Sequence, residues 1–248
     1  MSIFAIGDLH LSLSSDKPMD VYGGQWVGHV KKIEESWRRS VKSEDVVILA
    51  GDISWALKPG DAAADLDWIA RLPGKKVLVR GNHDLWWTSV SRLNALHTDM
   101  YFLQNTYYKA GDYAICGSRG WLCPGDKEFT AHDEKIYRRE LLRLGFSLEA
   151  AAGAGEKNLI GVLHYPPCNE GLEGSGFTEL FEEYGVRLVV YGHLHGAEAH
   201  KKALGGFFRG VEYRLVACDH VNCRPVKLIE NHGGPEPETA AVEGAEEE

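Results

Sequence analysis

Val46-Val47-Ile48-Leu49-Ala50-Gly51-Asp52 is an apolar run of strand length that stops on a glycine and delivers an acid. Unbroken Val, Ile and Leu without polar alternation describe a strand buried on both faces. The same arrangement recurs along the chain. Ile3-Phe4-Ala5-Ile6 leads to Asp8 and His10, and residues 76–80 lead to Asn82-His83-Asp84. Residues 159–163 lead to His164, and Leu188-Val189-Val190-Tyr191 leads to His193 and His195. One such run means little by itself, since an Asp after Gly is commonly a turn residue. Repetition through the chain describes one site, assembled where several strands stop, as open α/β sheets do.

Helical patterns lie between these runs. Trp26, Val30, Ile33, Trp37 and Val41 recur at helical spacing and predict a helix over 25–41. Leu66, Ile69 and Leu72 mark another, stopped by Pro73-Gly74. Thr88 is placed to cap a helix burying Val90 and Leu93, and Gly185 to end one carrying Leu180, Phe181 and Tyr184. Strand then helix, repeated, predicts an α/β fold with a partly parallel sheet. Residues 107–117, 210–217 and 225–230 read as strands without helices between them, and predict a second, antiparallel sheet. The expected architecture is a two-sheet sandwich flanked by helices, one domain over residues 1–230. Residues 119–155, with the charged run 133–143, read either as a surface helical insertion or as a cap over the site.

The chain has 248 residues, 44% hydrophobic and 25% charged, ordinary for a globular protein with a real core. The formal net charge is −9, much of it in residues 231–248, which hold six glutamates and no Lys or Arg. That Gly/Pro/Ala/Glu-rich stretch is expected to be a disordered, solvated tail. No basic stripe suggests duplex nucleic acid, and no apolar run approaches the roughly 18 residues of a membrane span. The five cysteines form no C-x-x-C pair and read as reduced thiols. Met1-Ser2 passes directly into a strand with no basic leader, so a cytoplasmic location is expected. Nothing here speaks to oligomeric state.

The donor types at the strand ends are carboxylate, imidazole and amide oxygen, which suit Mn²⁺, Fe²⁺ or Zn²⁺. Asp8, His10, Asp52, Asn82, His164, His193 and His195 are too many donors for one ion that also keeps a water. Two ions about 3.5–4 Å apart, sharing a carboxylate, would use them all. Such a pair lowers the pKa of a shared water and supplies hydroxide at neutral pH. Gly7, Gly51, Gly81 and Gly192 are expected to let the backbone turn sharply at each strand end.

Gly7-Asp8-Leu9-His10, Gly51-Asp52, Gly81-Asn82-His83-Asp84, His164 and Gly192-His193-Leu194-His195 together resemble the motif set of the calcineurin-like metallophosphoesterases, in the expected order. The resemblance implies a first metal on Asp8, His10 and His195, and a second on Asn82, His164 and His193. Asp52 would bridge them. It implies that His83 reaches the substrate phosphate, with Asp84 fixing its orientation and tautomer. The cofactors would be two divalent ions, Mn²⁺ first, with Fe²⁺, Zn²⁺ or Ni²⁺ as alternatives.

The Arg-Gly pair of the protein phosphatase branch is missing after Asp52. Trp55 stands where purple acid phosphatases carry a ferric-binding tyrosine, and an indole N–H cannot ligate. What remains looks like the compact bacterial phosphohydrolases and phosphodiesterases, which implies action on a small phosphate mono- or diester, with nucleotide-like esters among the candidates. A single-strand nuclease and a non-catalytic scaffold of the same fold are the alternatives. Trp55, Trp86, Trp87 and Trp121 are candidates to stack on a substrate base or to pack beneath the site, and Arg119 to hold a second phosphate.

Overall fold

The computed structural model describes residues 1–15 and 17–230; the expected acidic tail lies outside them. The first sheet contains β1 (Ile3–Ile6), β2 (Val46–Ala50), β3 (Lys75–Val79) and β4 (Met100–Phe102), all parallel. The last strand, β11 (Val226–Ile229), pairs antiparallel with β1 at its edge. The second sheet runs β5 (Tyr107–Ala110), β6 (Tyr113–Gly117), β7 (Asn158–Val162), β8 (Leu188–Tyr191), β10 (Val211–Leu215) and β9 (Gly206–Phe208). Its four central strands are parallel, and only the edge strands β5 and β9 are antiparallel.

This corrects the sequence reading in two respects. The strands leading to His164 and His193 belong to the second sheet, which is therefore mixed rather than antiparallel. The 225–230 segment joins the first sheet. Runs that are apolar throughout carry no record of which sheet they enter.

Side-chain alternation builds three layers of core. Ile3, Ala5, Ile48 and Val77 face Ile115, Ile160, Val162 and Val190 between the sheets. Phe4, Ile6, Leu49 and Leu78 face outward onto α1 (His29–Ser40) and α2 (Ala63–Ala70). Leu159, Val189 and Tyr191 face α4 (Ala131–Gly153) and α5 (Gly176–Glu183) on the other side. The chain is thus helix, sheet, sheet, helix, an α/β two-sheet sandwich. Two short helices, α3 (Val90–Leu93) and α6 (Ala197–Lys201), complete it.

Helix α1 starts later than its pattern predicts, because residues 24–26 form a separate tight turn and Gly28 takes a left-handed φ of 65°. Ser89, not Thr88, precedes α3. The 119–155 segment divides in two. Thr130 and Asp133 form a capping box that starts α4. That helix is the crossover between parallel β6 and β7 and buries Tyr137, Leu144, Leu148 and Ala151 against the sheet. Its charged run conceals a fully buried Glu140, which Arg119, Arg139 and Arg143 approach at 3.4, 3.3 and 2.9 Å. Among the described residues, no helix is long and apolar enough to cross a membrane.

Candidate metal centre

The two sheets meet where β1 and β10 run out, through a bond from the Gly7 N–H to the Val216 carbonyl at 2.7 Å. Beside this seam the loops after β1, β2, β3, β7 and β8 bring seven side chains together. Asp8, His10, Asp52 and His164 are buried, and Asn82, His193 and His195 are partly so. Asp8, Asp52, His10 and His193 all hold left-handed backbone, with φ of 57°, 50°, 46° and 73°. Non-glycine residues adopt that region at a cost of about 1–3 kcal/mol each, and such strain concentrates at functional sites.

The glycines serve the site differently from expectation. Of the four, only Gly51 has a positive φ, 83°. The others provide room. A Cβ on Gly81 would lie 2.0 Å from Asp52 Oδ1, and one on Gly192 would lie 2.3 Å from Asp8 Oδ2.

Two donor sets gather in this space: Asp8, His10 and His195, and Asp8, Asp52 and His164, with the ligand atoms of each set within 4.8 Å of one another. His164 Nδ1 donates to the Ala50 carbonyl at 3.0 Å, so Nε2 is a lone pair. That lone pair faces Asn82 Oδ1 at 2.7 Å. His193 Nδ1 lies 3.0 Å from the same oxygen. His195 Nδ1 donates to Asp219 Oδ1 at 2.9 Å, which turns its Nε2 toward His10 Nε2 at 3.3 Å and Asp8 Oδ1 at 3.5 Å. His164 Nε2 and Asn82 Oδ1 thus present lone pairs to each other, and this N/O donor set without thiolate fits divalent ions.

The titration behaviour agrees. Burial, then the charge of Asp8, pushes Asp52 up to about 8. Burial disfavours charge on His195, but Asp219 and Asp8 outweigh it and raise that imidazole to about 10. Burial and the neighbouring His164 hold His193 down to about 3. The pocket resists a second negative charge beside Asp8, and of His10, His164, His193 and His195 only His195 is pushed toward its charged form.

Asp52 occupies the middle. Its Oδ1 accepts from the His83 backbone N–H at 2.8 Å, and its Oδ2 lies 3.8 Å from His10 Nε2 and 3.4 Å from His164 Nε2. His83 is partly exposed, its ring 4.3 Å from Trp55 and 5.7 Å from His10.

Asp84 does not meet that ring, contrary to the role the resemblance implies. Its buried carboxylate accepts from Gly81 N, Ile53 N, Ser54 N and Trp86 Nε1 at 2.7, 2.9, 3.2 and 3.0 Å. It staples the loop after β2 to the loop after β3.

The tryptophans separate by burial. Trp86 and Trp87 are 1% and 8% exposed and pack on Phe102, so neither has a face for a substrate. Trp55 stacks on His10 at 4.8 Å and donates to Met19 Sδ, which makes it a wall that holds the two imidazoles. Arg119 lies over Trp121 at 4.3 Å, and its carbonyl accepts from His164 N and Tyr165 N. Its guanidinium is shared with Glu140.

Asp219 is the residue that sequence reasoning missed. It follows β10, orients His195, and accepts from Gly196 N at 2.8 Å. The signal was a sixth strand ending in an acid, without a glycine to mark it. Partners that orient a ligand typically matter about 10–100-fold. Asp219→Ala should therefore weaken Mn²⁺ binding by about that factor, measured by calorimetry, while the fold persists.

The chain is 34% identical over 99 residues to the Gene 66 protein of Mycobacterium phage D29, which covers 38% of this chain and 44% of that protein. The match thus spans less than half the length of the phage relative. A protein of unknown function from Aquifex aeolicus superposes with a TM-score of 0.51 at 16% identity, covering 91% of this chain and 95% of the other. Phosphopantetheinyl hydrolase from Mycobacterium tuberculosis gives 0.51 at 16% identity, covering 95% and 98%. These two show a shared fold. The model of the calcineurin-like phosphoesterases matches residues 1–197, the span that carries every strand-end motif up to His195, and the chain belongs to that family.

Proposed function

We propose that this protein hydrolyses a small phosphate mono- or diester at a dinuclear centre. Asp8, His10 and His195 hold one divalent ion, Asn82, His164 and His193 hold the other, and Asp52 serves both. The observation that carries the reading is the convergence of His164 Nε2 and His193 Nδ1 on Asn82 Oδ1, with Asp52 Oδ2 between His164 and His10. Mn²⁺ is the ion proposed first, ahead of Fe²⁺, Zn²⁺ and Ni²⁺. When bound, the ions supply Lewis-acid charge for the phosphoryl oxygens and an acidified water.

The side chains do the rest. His83 stands at the partly open edge of the pocket, held by Trp55. Burial lowers its pKa, so it is neutral at physiological pH and donates an N–H to a phosphoryl oxygen. The backbone N–H groups of His83 and His193 hold Asp52 and Asp8 so that their free lone pairs face the pocket. Five free, buried cysteines support a reducing, cytoplasmic setting.

Hydrolysis of p-nitrophenyl phosphate and bis(p-nitrophenyl) phosphate with Mn²⁺ tests the reading and ranks monoester against diester. His83→Ala should cut kcat by roughly 100-fold with metal content unchanged. A fully loaded protein that hydrolyses neither ester would refute the proposal.

A further inference from the structure

A groove of about 360 Å³ opens directly from the centre at His193, and the mechanism does not use it. Its size falls in the range of small-molecule sites. An aromatic path leads into it: Tyr165 lies 4.2 Å from the His193 ring, and Trp121 lies 4.9 Å from Tyr165. Trp121 is fixed by its Nε1 bond to Asp133 Oδ1 at 3.0 Å and by Arg119 stacked on its ring. Leu194, Leu204, Cys123 and Cys168 continue the apolar lining. Asp126, Glu128, Glu170 and Glu198 also border it, against the single cation Lys202. Arg119, the residue expected to take a second phosphate, does not line the groove.

We propose that this groove receives the organic part of the ester, and that the substrate carries there an uncharged, largely apolar chain or ring with no second phosphate or carboxylate. The inference rests on the phosphoesterase reading of the adjoining centre. Continuity with His193 places the groove within reach of the group esterified to phosphorus. The apolar walls favour carbon, and the carboxylates repel a second anion. Nucleotide polyphosphates and polynucleotides are thereby disfavoured.

Binding of phosphonates, which cannot be hydrolysed, tests the groove apart from catalysis. With the Mn²⁺-loaded protein, calorimetry should find hexylphosphonate bound roughly tenfold or more tighter than methylphosphonate, since each buried methylene contributes. Ala199→Trp, which fills the groove, should abolish most of that preference. 6-Phosphonohexanoate, of the same length but ending in a carboxylate, should bind roughly fivefold more weakly than hexylphosphonate. Glu128→Lys/Glu170→Lys, two exposed changes, should erase that penalty. Equal affinity of the wild type for hexyl- and methylphosphonate would overturn the proposal, as would a preference that survives Ala199→Trp. A carboxylate-ended ligand bound as tightly as hexylphosphonate would overturn its charge component. A hexyl preference in a protein that hydrolyses no ester would leave the groove standing and remove the catalytic reading instead.

Discussion

Asp52→Asn should reduce turnover by roughly 10³-fold or more and, in the absence of metal, make the protein harder to unfold. The two effects have one origin. Asp52 is 1% exposed and lies where burial and the charge of Asp8 push its pKa to about 8, from 3.8. A carboxyl whose folded pKa lies above its unfolded value gives a contribution that is complete below about pH 4 and lost as pH rises through about 8. The cation-free wild type should therefore lose stability across that window. Asparagine carries no charge, yet its Oδ1 still accepts the His83 N–H that Asp52 holds at 2.8 Å. In chelator at pH 8 the variant should melt above the wild type, and the gap should close toward pH 4. Saturating Mn²⁺ should reverse the order, because the wild type gains the free energy of ion binding and the variant gains less. Calorimetry at both pH values, with and without Mn²⁺, reads all four cases. If Asp52→Asn melts at or below the wild type in chelator at pH 8, burial beside Asp8 does not penalise the Asp52 carboxylate as described above.

The main outline of the site was legible because each of its strands is apolar throughout and stops on residues whose chemistry is unusual there. Gly51-Asp52 and Gly81-Asn82-His83 carry their own punctuation. What escaped the sequence has physical reasons. Asp219 follows Cys218, not a glycine, and its importance lies in a bond to His195 from the loop after β10, the parallel neighbour of β8. Strand β11 could be seen as a strand, but its partner β1 lies at the opposite end of the chain, and pairing across that distance leaves no local trace. The charged run 133–143 reads as solvated surface, whereas Glu140 is fully buried and matched by arginines that approach from α4 and from the loop after β6. The glycines were recognised as necessary but for backbone freedom. At Gly81 and Gly192 the need is space for a carboxylate, which only the folded chain displays.

Asp84→Ala should cost about 4 kcal/mol of stability and lower activity roughly 100-fold or more, although Asp84 touches neither the pocket donors nor the His83 ring. Four buried donors converge on its carboxylate: Ile53 N, Ser54 N and Trp86 Nε1 on Oδ1, and Gly81 N on Oδ2. Alanine leaves all four unpaired. Asparagine separates the two halves of the arrangement. With its oxygen in the Oδ1 position it keeps three donors and sets an NH₂ against the Gly81 N–H, at a cost of about 1–3 kcal/mol. The repulsion acts where there is least room, since a Cβ on Gly81 would already sit 2.2 Å from the Asp52 backbone nitrogen. Any shift of Gly81 moves Asn82 and presses on Asp52, so Asp84→Asn should lose Mn²⁺ affinity as well as stability. Chemical denaturation should rank wild type above Asp84→Asn and Asp84→Ala lowest, with Mn²⁺ affinity reduced in both variants. The alternative, that Asp84 acts by tuning His83, makes a different forecast: an altered pH–rate profile in Asp84→Asn with stability and metal affinity intact. That outcome would show that the carboxylate serves the imidazole after all, and that the staple between the β2 and β3 loops is incidental.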